Sequence, residues 1–308
     1  MSTLLVTHRA FLAHDTGAHH PERPARLEAV LKALDRDEFA ALQRREAPEA
    51  TVEQIARAHP SAFVQAVIEA MPKTGHAAFD ADTICSPGSK EAVLRACGAV
   101  VAAVDAVALG EAQNAFCAVR PPGHHAEPMQ PMGFCIFNNV AVGALHARAA
   151  HGLQRVAVVD FDVHHGNGTQ AMFERDSELF FASTHQYPLY PGTGARGEKG
   201  VGNIVNAPLP PHAGSEEFRS AMDREVLPAL RAFKPDLLLI SAGFDAHRAD
   251  PLANLNLEDG DYRWATERLL EVAKECCGGR VVSTLEGGYD LGALASASSE
   301  HVRALMAA

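Results

Sequence analysis

Asp160, Asp162 and His164 stand at alternate positions where the apolar run 156–159 ends. In an extended chain, side chains at i, i+2 and i+4 share a face, so this spacing points two carboxylates and an imidazole the same way. Such a set can supply two ligands to a divalent cation and one supporting group. Carboxylates emerging from an apolar strand are costly unless paired or bound to a cation, so a structural hydrogen-bond cluster fits the same residues. Gly243-Phe244-Asp245-Ala246-His247 offers a third oxygen ligand after the apolar run 237–241. Catalytic zinc usually has three protein ligands and an open position. Asp162, His164 and Asp245 meet that count, although an Asp after a strand also serves as a helix cap or turn residue.

Two further clusters carry groups suited to proton transfer. Arg120-Pro121-Pro122-Gly123-His124-His125 sets adjacent histidines on a loop stiffened by proline. Such a pair can move protons to and from an attacking water, provided its partners fix the tautomers. Adjacent histidines also occur at His19-His20 and His164-His165, so the pairing alone is weak. In Glu286-Gly287-Gly288-Tyr289, a phenol follows a Gly-Gly turn and could donate to a developing oxyanion. An ordinary turn tyrosine packed on a helix has the same sequence.

The elements that must position these groups are readable from periodicity. Apolar, β-branched runs at 4–7, 115–119, 156–160, 179–183, 203–207, 237–241 and 281–285 predict strands. Helical patterns fall between them, at 26–39, 61–70, 91–109, 140–150, 216–233, 262–274 and 294–305. This alternation predicts one α/β domain over residues 1–308, with a mostly parallel β-sheet flanked by helices. The Gly- and Pro-rich stretch 186–202 reads as a loop within that domain. Ligands of such sheets sit outside the carboxyl ends of the strands. All four polar clusters directly follow predicted strands, so they belong to one rim.

Bulk composition narrows the function classes. Net charge is −11 over 308 residues, which argues against nucleic-acid binding by phosphate neutralisation. The apolar run 92–109 is interrupted by Arg95 and Asp105, and so reads as a core helix and no membrane span. No basic, then apolar, leader pattern opens the chain. Six cysteines, at 85, 97, 117, 135, 276 and 277, form no CxxC pair. They predict buried, reduced thiols and a cytoplasmic setting.

Taken together, these segments resemble the arginase–deacetylase fold and, within it, the zinc-dependent histone deacetylase family. The matching stretches are HPERPARLEAV (20–30), RPPGHHA (120–126), GFCIFNN (133–139), DFDVHHGNGTQ (160–170), YPGTG (190–194), SAGFDAH (241–247) and LEGGYDL (285–291). They follow the family's order over nearly the whole chain. The resemblance implies that Asp162, His164 and Asp245 bind one zinc ion and that His125 is the general base. It implies that His124, oriented by Asp160, helps polarise the water, that Asn167 supports His125, and that Tyr289 binds the substrate carbonyl. Gly133, Phe134 and Tyr190 resemble the wall of the acyl-lysine tunnel, and Asp82 the aspartate at its rim. Asp160 and Ser183 resemble the family's structural potassium site.

Two details bear on subtype. The family's first class carries Asp where this chain has Asn167, so the pattern is closer to the second class and its bacterial relatives. Tyr289 is retained, whereas one branch has His there and acts poorly on acetyl-lysine. The implied substrates are acylated lysine side chains of peptides or, since acetylpolyamine amidohydrolases share the motifs, acetylated polyamines. An arginase-like ureohydrolase would need two manganese ions and further Asp ligands. A non-catalytic acyl-amine binding protein would have no need of both histidines and Tyr289. Oligomeric state is not encoded in any of these motifs.

Overall fold

The computed structural model describes residues 2–308. Its centre is an eight-stranded sheet in the order β2-β1-β5-β10-β9-β6-β7-β8. In chain order the strands are β1 (Thr3–Thr7), β2 (Gln43–Glu46), β3 (Ala77–Ala78), β4 (Ile84–Cys85) and β5 (Asn114–Cys117), followed by β6 (Val156–Asp160), β7 (Leu179–Gln186), β8 (Ile204–Leu209), β9 (Leu237–Ala242) and β10 (Val281–Leu285). Every neighbour pair of the large sheet is parallel. Among the described strands, only the short β3–β4 pair, outside the large sheet, is antiparallel. The inner strands are apolar throughout because helices cover both faces, as the unbroken burial of β5, β6, β9 and β10 reflects.

Among the described residues there are ten α-helices: α1 (Pro24–Leu34), α2 (Val52–Ile55), α3 (Ser61–Glu69), α4 (Ser89–Ala108), α5 (Asn139–His151), α6 (Asn167–Phe173), α7 (Ser215–Ala221), α8 (Leu227–Phe233), α9 (Asp259–Cys277) and α10 (Leu291–Met306). Helices α4 and α5 pack together against one side, and α1, α8, α9 and α10 form a second layer. Local chemistry sets their ends. Asn138 caps α5 by accepting from Ala141 N, and Asp290 caps α10 by accepting from Ala293 N. Among the described residues, no helix is long and apolar enough to cross a membrane.

Some boundaries differ from the sequence expectation, each for a local reason. The helix expected at 26–39 begins at Pro24, a residue tolerated in the first turn, and ends at Leu34 before a separate 3-10 turn over Asp37–Phe39. The helix expected at 216–233 carries a π turn over Met222–Val226. Pro228 follows it, and a proline with no N–H to donate favours such a break. Strand β2 was not expected, since Gln43-Arg44-Arg45-Glu46 is exposed throughout and carries no apolar signal. Charged side chains on that edge also guard it against pairing with another chain.

Candidate active site

The four strands that precede the polar clusters are adjacent in the sheet, in the order β5-β10-β9-β6. Their ends are in register: Cys117 pairs with Thr284, Thr284 with Ser241, Ser241 with Asp160, and Asp160 with Ser183. Each chain therefore leaves the sheet at one level, and the clusters converge on a single rim. They surround a cavity of about 220 Å³ lined by Asp82, His124, His125, Gly133, Phe134, His164, Tyr190, Leu252, Gly287 and Tyr289, among others.

Strand alternation is not what brings Asp160, Asp162 and His164 together. β6 ends at Asp160, and beyond it the chain bends. The Asp162 N–H donates to Asp160 Oδ1 at 3.0 Å, and the His164 N–H donates to Asp162 Oδ1 at 2.9 Å. These side-chain-to-backbone turns aim Asp162 and His164 at Asp245, while Asp160 faces away to His124. Nδ1 of His164 lies 3.1 Å from Asp162 Oδ1 and 3.2 Å from Asp245 Oδ2. The donor atoms of all three residues lie within 4.8 Å of one another.

Both carboxylates are buried, and their outer oxygens are partly satisfied. Asp162 Oδ2 accepts from Gly287 N at 2.8 Å, and Asp245 Oδ1 accepts from Val163 N at 2.9 Å. Asp245 Oδ2 is buried without a hydrogen-bond donor. Burial alone would lower the pKa of His164, yet its hydrogen bond to Asp162 and the negative charge of Asp245 beside it carry it up to about 10. A buried site with two carboxylates, an unpartnered oxygen and such an appetite for positive charge fits a divalent cation. Gly287 makes room for it: a Cβ there would lie 2.1 Å from Asp245 Oδ2 and 2.6 Å from Asp162 Oδ2.

A second group, Asp105, His146 and His151, gathers its donor atoms as closely. It is a closed hydrogen-bond cluster. Arg57 donates to Nδ1 of His146, so Nε2 carries its proton toward Asp105 Oδ1 at 2.6 Å. His151 donates to the same oxygen at 2.6 Å.

His124 and His125 differ in charge because their partners differ. Burial opposes a proton on His124, but Asp160, 2.9 Å from its Nδ1, and then Asp162 hold its pKa well above 6.5. The proton of that buried pair rests on the imidazole. His125 is held well below 6.5, first by burial and then by His124 and His164. Its Nδ1 is 2.8 Å from Asn167 Oδ1. The Asn167 amide nitrogen donates to Glu127 Oε1 at 2.8 Å, which leaves its oxygen facing the ring. His125 therefore carries its proton on Nδ1 and presents the Nε2 lone pair to the cavity.

The remaining wall is aromatic. Tyr190 stands edge-on to His125 with ring centroids 5.1 Å apart, and Phe134 edge-on to Tyr289 at 5.8 Å. Gly133 adopts φ +57°, and a Cβ there would meet the His125 ring at 2.6 Å. Burial pushes the Tyr289 phenol well above 10, so it remains a donor. Asp82 lies at the mouth, where burial and then Asp80 raise its pKa. Ser183 lies off the cavity, beside Asp160 in the adjacent strand, and is 2.9 Å from His185 Nδ1.

A histone deacetylase domain model matches residues 20–305. The chain belongs to the histone deacetylase family. It is 42% identical to the histone deacetylase-like amidohydrolase of Pseudomonas aeruginosa, over 88% of this chain and 72% of that one. It is 40% identical to histone deacetylase 14, chloroplastic, of Arabidopsis thaliana, over 98% of this chain and 76% of the relative. The crystal structure of the HDA15 HD domain superposes with a TM-score of 0.93 at 35% identity, covering 99% of this chain and 88% of that domain. The protein is thus a hydrolase of the deacetylase type.

Several residues of this deacetylase's site were not singled out by sequence reasoning. Glu286 accepts from the N–H groups of Gly123 at 2.6 Å and His124 at 3.1 Å, which anchors the histidine loop to the end of β10. Asp250 accepts from Tyr289 N at 2.7 Å. Glu22 accepts two bonds from Arg120, at 2.5 and 2.7 Å, and one from Arg26 at 3.0 Å. Arg26 donates to the carbonyls of Glu286 and Gly288 and lies 4.8 Å from the Tyr289 ring centroid. Apart from the i,i+4 pair of Glu22 and Arg26, these bonds link residues far apart in sequence, so no local spacing marks them. Glu22 and Arg26 do fall in the HPERPAR motif, which is the one signal that pointed to them.

Proposed function

We propose that this deacetylase removes acetyl or other short acyl groups from acylated lysine side chains. The observation that carries the reading is the narrow cavity between Phe134 and Tyr190, with the His125 lone pair, the Tyr289 phenol and the Asp162–His164–Asp245 group at its inner end. An extended acyl-amine fits such a channel, and its carbonyl would reach the polar end.

In this reading Asp162, His164 and Asp245 hold one zinc ion. Zinc when bound supplies Lewis acidity, enough to bring the pKa of water from about 15.7 to roughly 7. His125 Nε2 accepts a proton from the attacking water, and Asn167 holds the ring in the required tautomer. Water oxygen bonds to the carbonyl carbon while Tyr289 donates to the carbonyl oxygen, where negative charge gathers. The C–N bond then breaks, the proton on His125 passes to the departing amine, and acetate and amine are released. His124, charged beside Asp160, adds a fixed positive group next to the reacting oxygen atoms. Gly133, Phe134 and Tyr190 shape the channel, and Asp82 receives the substrate at its mouth. A potassium ion beside Asp160 and Ser183, neighbours across β6 and β7, belongs to the same reading.

Acetylated polyamines are the second substrate class. The negative charge of Asp82, Asp80 and Glu127 around Tyr190 favours a cationic chain outside the channel. Acetyl-lysine peptides assayed against acetylputrescine and acetylspermidine, with and without chelator, test the assignment. Peptide turnover that the chelator abolishes is the expected result, and turnover of polyamines alone would move the assignment to that class. A cytoplasmic site of action is supported by six cysteines that form no disulfide.

A further inference from the structure

Tyr190 is carried by a long connection. Between β7 and β8, residues 187–203 contain neither strand nor helix. A loop of this length holds a defined shape only where side chains anchor it. The anchor is a partly buried polar network centred on Glu198 and Gln170. The Glu198 carboxylate accepts from Gly194 N at 3.1 Å and Ala195 N at 2.9 Å, and from Gln170 Nε2 at 2.7 Å. Since the Gln170 amide nitrogen faces Glu198, its oxygen faces inward. There it accepts from His165 Nε2 at 2.9 Å and Asn206 Nδ2 at 2.8 Å. His165 then offers its Nδ1 to the Thr193 hydroxyl at 2.8 Å, which ties down the same loop a second time.

Gln170 lies on α6, the helix whose first residue is Asn167. One short helix therefore orients His125 through Asn167 and the loop of Tyr190 through Gln170. We infer that Gln170 and Glu198 are a positioning pair that fixes the Tyr190 wall relative to His125, and so determines how long an acyl chain the channel admits. The inference rests on the reading of the cavity as an acyl channel.

The hydrogen-bond directions supply a specific test. Glu198→Gln sets two amide groups against each other, so either the Gln170 donor or the Gly194 and Ala195 donors lose an acceptor. Gln170→Glu sets two carboxylates face to face. The double exchange, Gln170→Glu with Glu198→Gln, satisfies every partner again. The new glutamine accepts from Gly194 and Ala195 and donates to the new glutamate, which accepts from His165 and Asn206.

The experiment compares the four zinc-loaded proteins on acetyl-, butyryl- and hexanoyl-lysine peptides, and measures hydrogen exchange of peptide 187–198. In each single variant KM for the acetyl peptide should rise about tenfold with kcat changed about twofold at most, the pattern of lost binding and intact chemistry. Preference for acetyl over hexanoyl should fall and the loop should exchange faster. The double variant should recover all three. Single variants with unchanged acyl preference and slow loop exchange would overturn the inference, as would a folded double variant that recovers neither. If a single variant fails to fold, the double variant against wild type decides. Absence of turnover in wild type would sink the acyl-channel reading, while the exchange data would still report on the latch.

Discussion

Asn167 Oδ1 accepts a hydrogen bond from His125 Nδ1 at 2.8 Å, while the Asn167 nitrogen donates to Glu127 Oε1. That pairing makes His125 a base with a lone pair on Nε2. Replacing Asn167 with Asp should stabilise the imidazolium. In wild type the His125 pKa is held well below 6.5, so the base stays neutral and competent as pH falls through that value. In Asn167→Asp the acid limb of kcat/KM should move to higher pH, because the base is protonated sooner. An unmoved acid limb would remove His125 from that role.

Tyr289→Phe tests the oxyanion donor. Loss of one such donor typically costs about a hundredfold or more in turnover. The phenol lies beyond the Asp162–His164–Asp245 group, so zinc content should stay that of wild type. Near-wild-type turnover in this variant would show that Tyr289 does not stabilise the oxyanion.

Gly133→Ala tests how closely the channel wall packs. The new methyl would meet the His125 ring at 2.6 Å, from a backbone at φ +57°. Strain there should cost about 1 kcal/mol or more of stability. Turnover should fall further than that loss explains, because the displaced ring is the base. Chemical denaturation and kcat, measured on the same sample, separate the two effects.

Glu22 joins two arginines in the interior. Burial raises its pKa, but Arg120 and its hydrogen bonds overcome this and set it at about 2, below the ordinary 4.5. A carboxylate depressed in this way stabilises the fold above its unfolded pKa, and that stability is lost as pH falls from about 4.5 towards 2. Glu22→Gln should lose about 3–5 kcal/mol at neutral pH, since it leaves buried guanidinium charge without its partner. It should also weaken the decline in stability between those pH values. A denaturation midpoint equal to wild type at pH 7 would contradict the role given to the network.

What could be read in advance follows from where information sits in a sequence. Apolar strands announce themselves, and a polar residue directly after one marks the functional rim. That placement drew Asp162, His164, Asp245, His125 and Tyr289 to one rim, while their separate roles were implied only by the resemblance to the histone deacetylase family. Glu127, Asp250 and Glu286 were not, because their roles depend on partners across the fold, such as Gly123 reached from Glu286. Strand β2 escaped because an exposed polar edge has no hydrophobic alternation. Asp162 and His164 do come together, but through turns and not through the strand pleat that their spacing suggested, and Asp160 turns to His124 instead.

We propose Asp162, His164 and Asp245 as a single-metal centre for acyl-amide hydrolysis. Chelator-stripped protein titrated with zinc, with acetate release from an acetyl-lysine peptide followed at each addition, tests it directly. Activity should be absent at the start and rise to a plateau at one zinc per chain, and Asp245→Ala should give no such plateau. Acetate release by metal-free protein, or a requirement for two metal ions per chain, would contradict it.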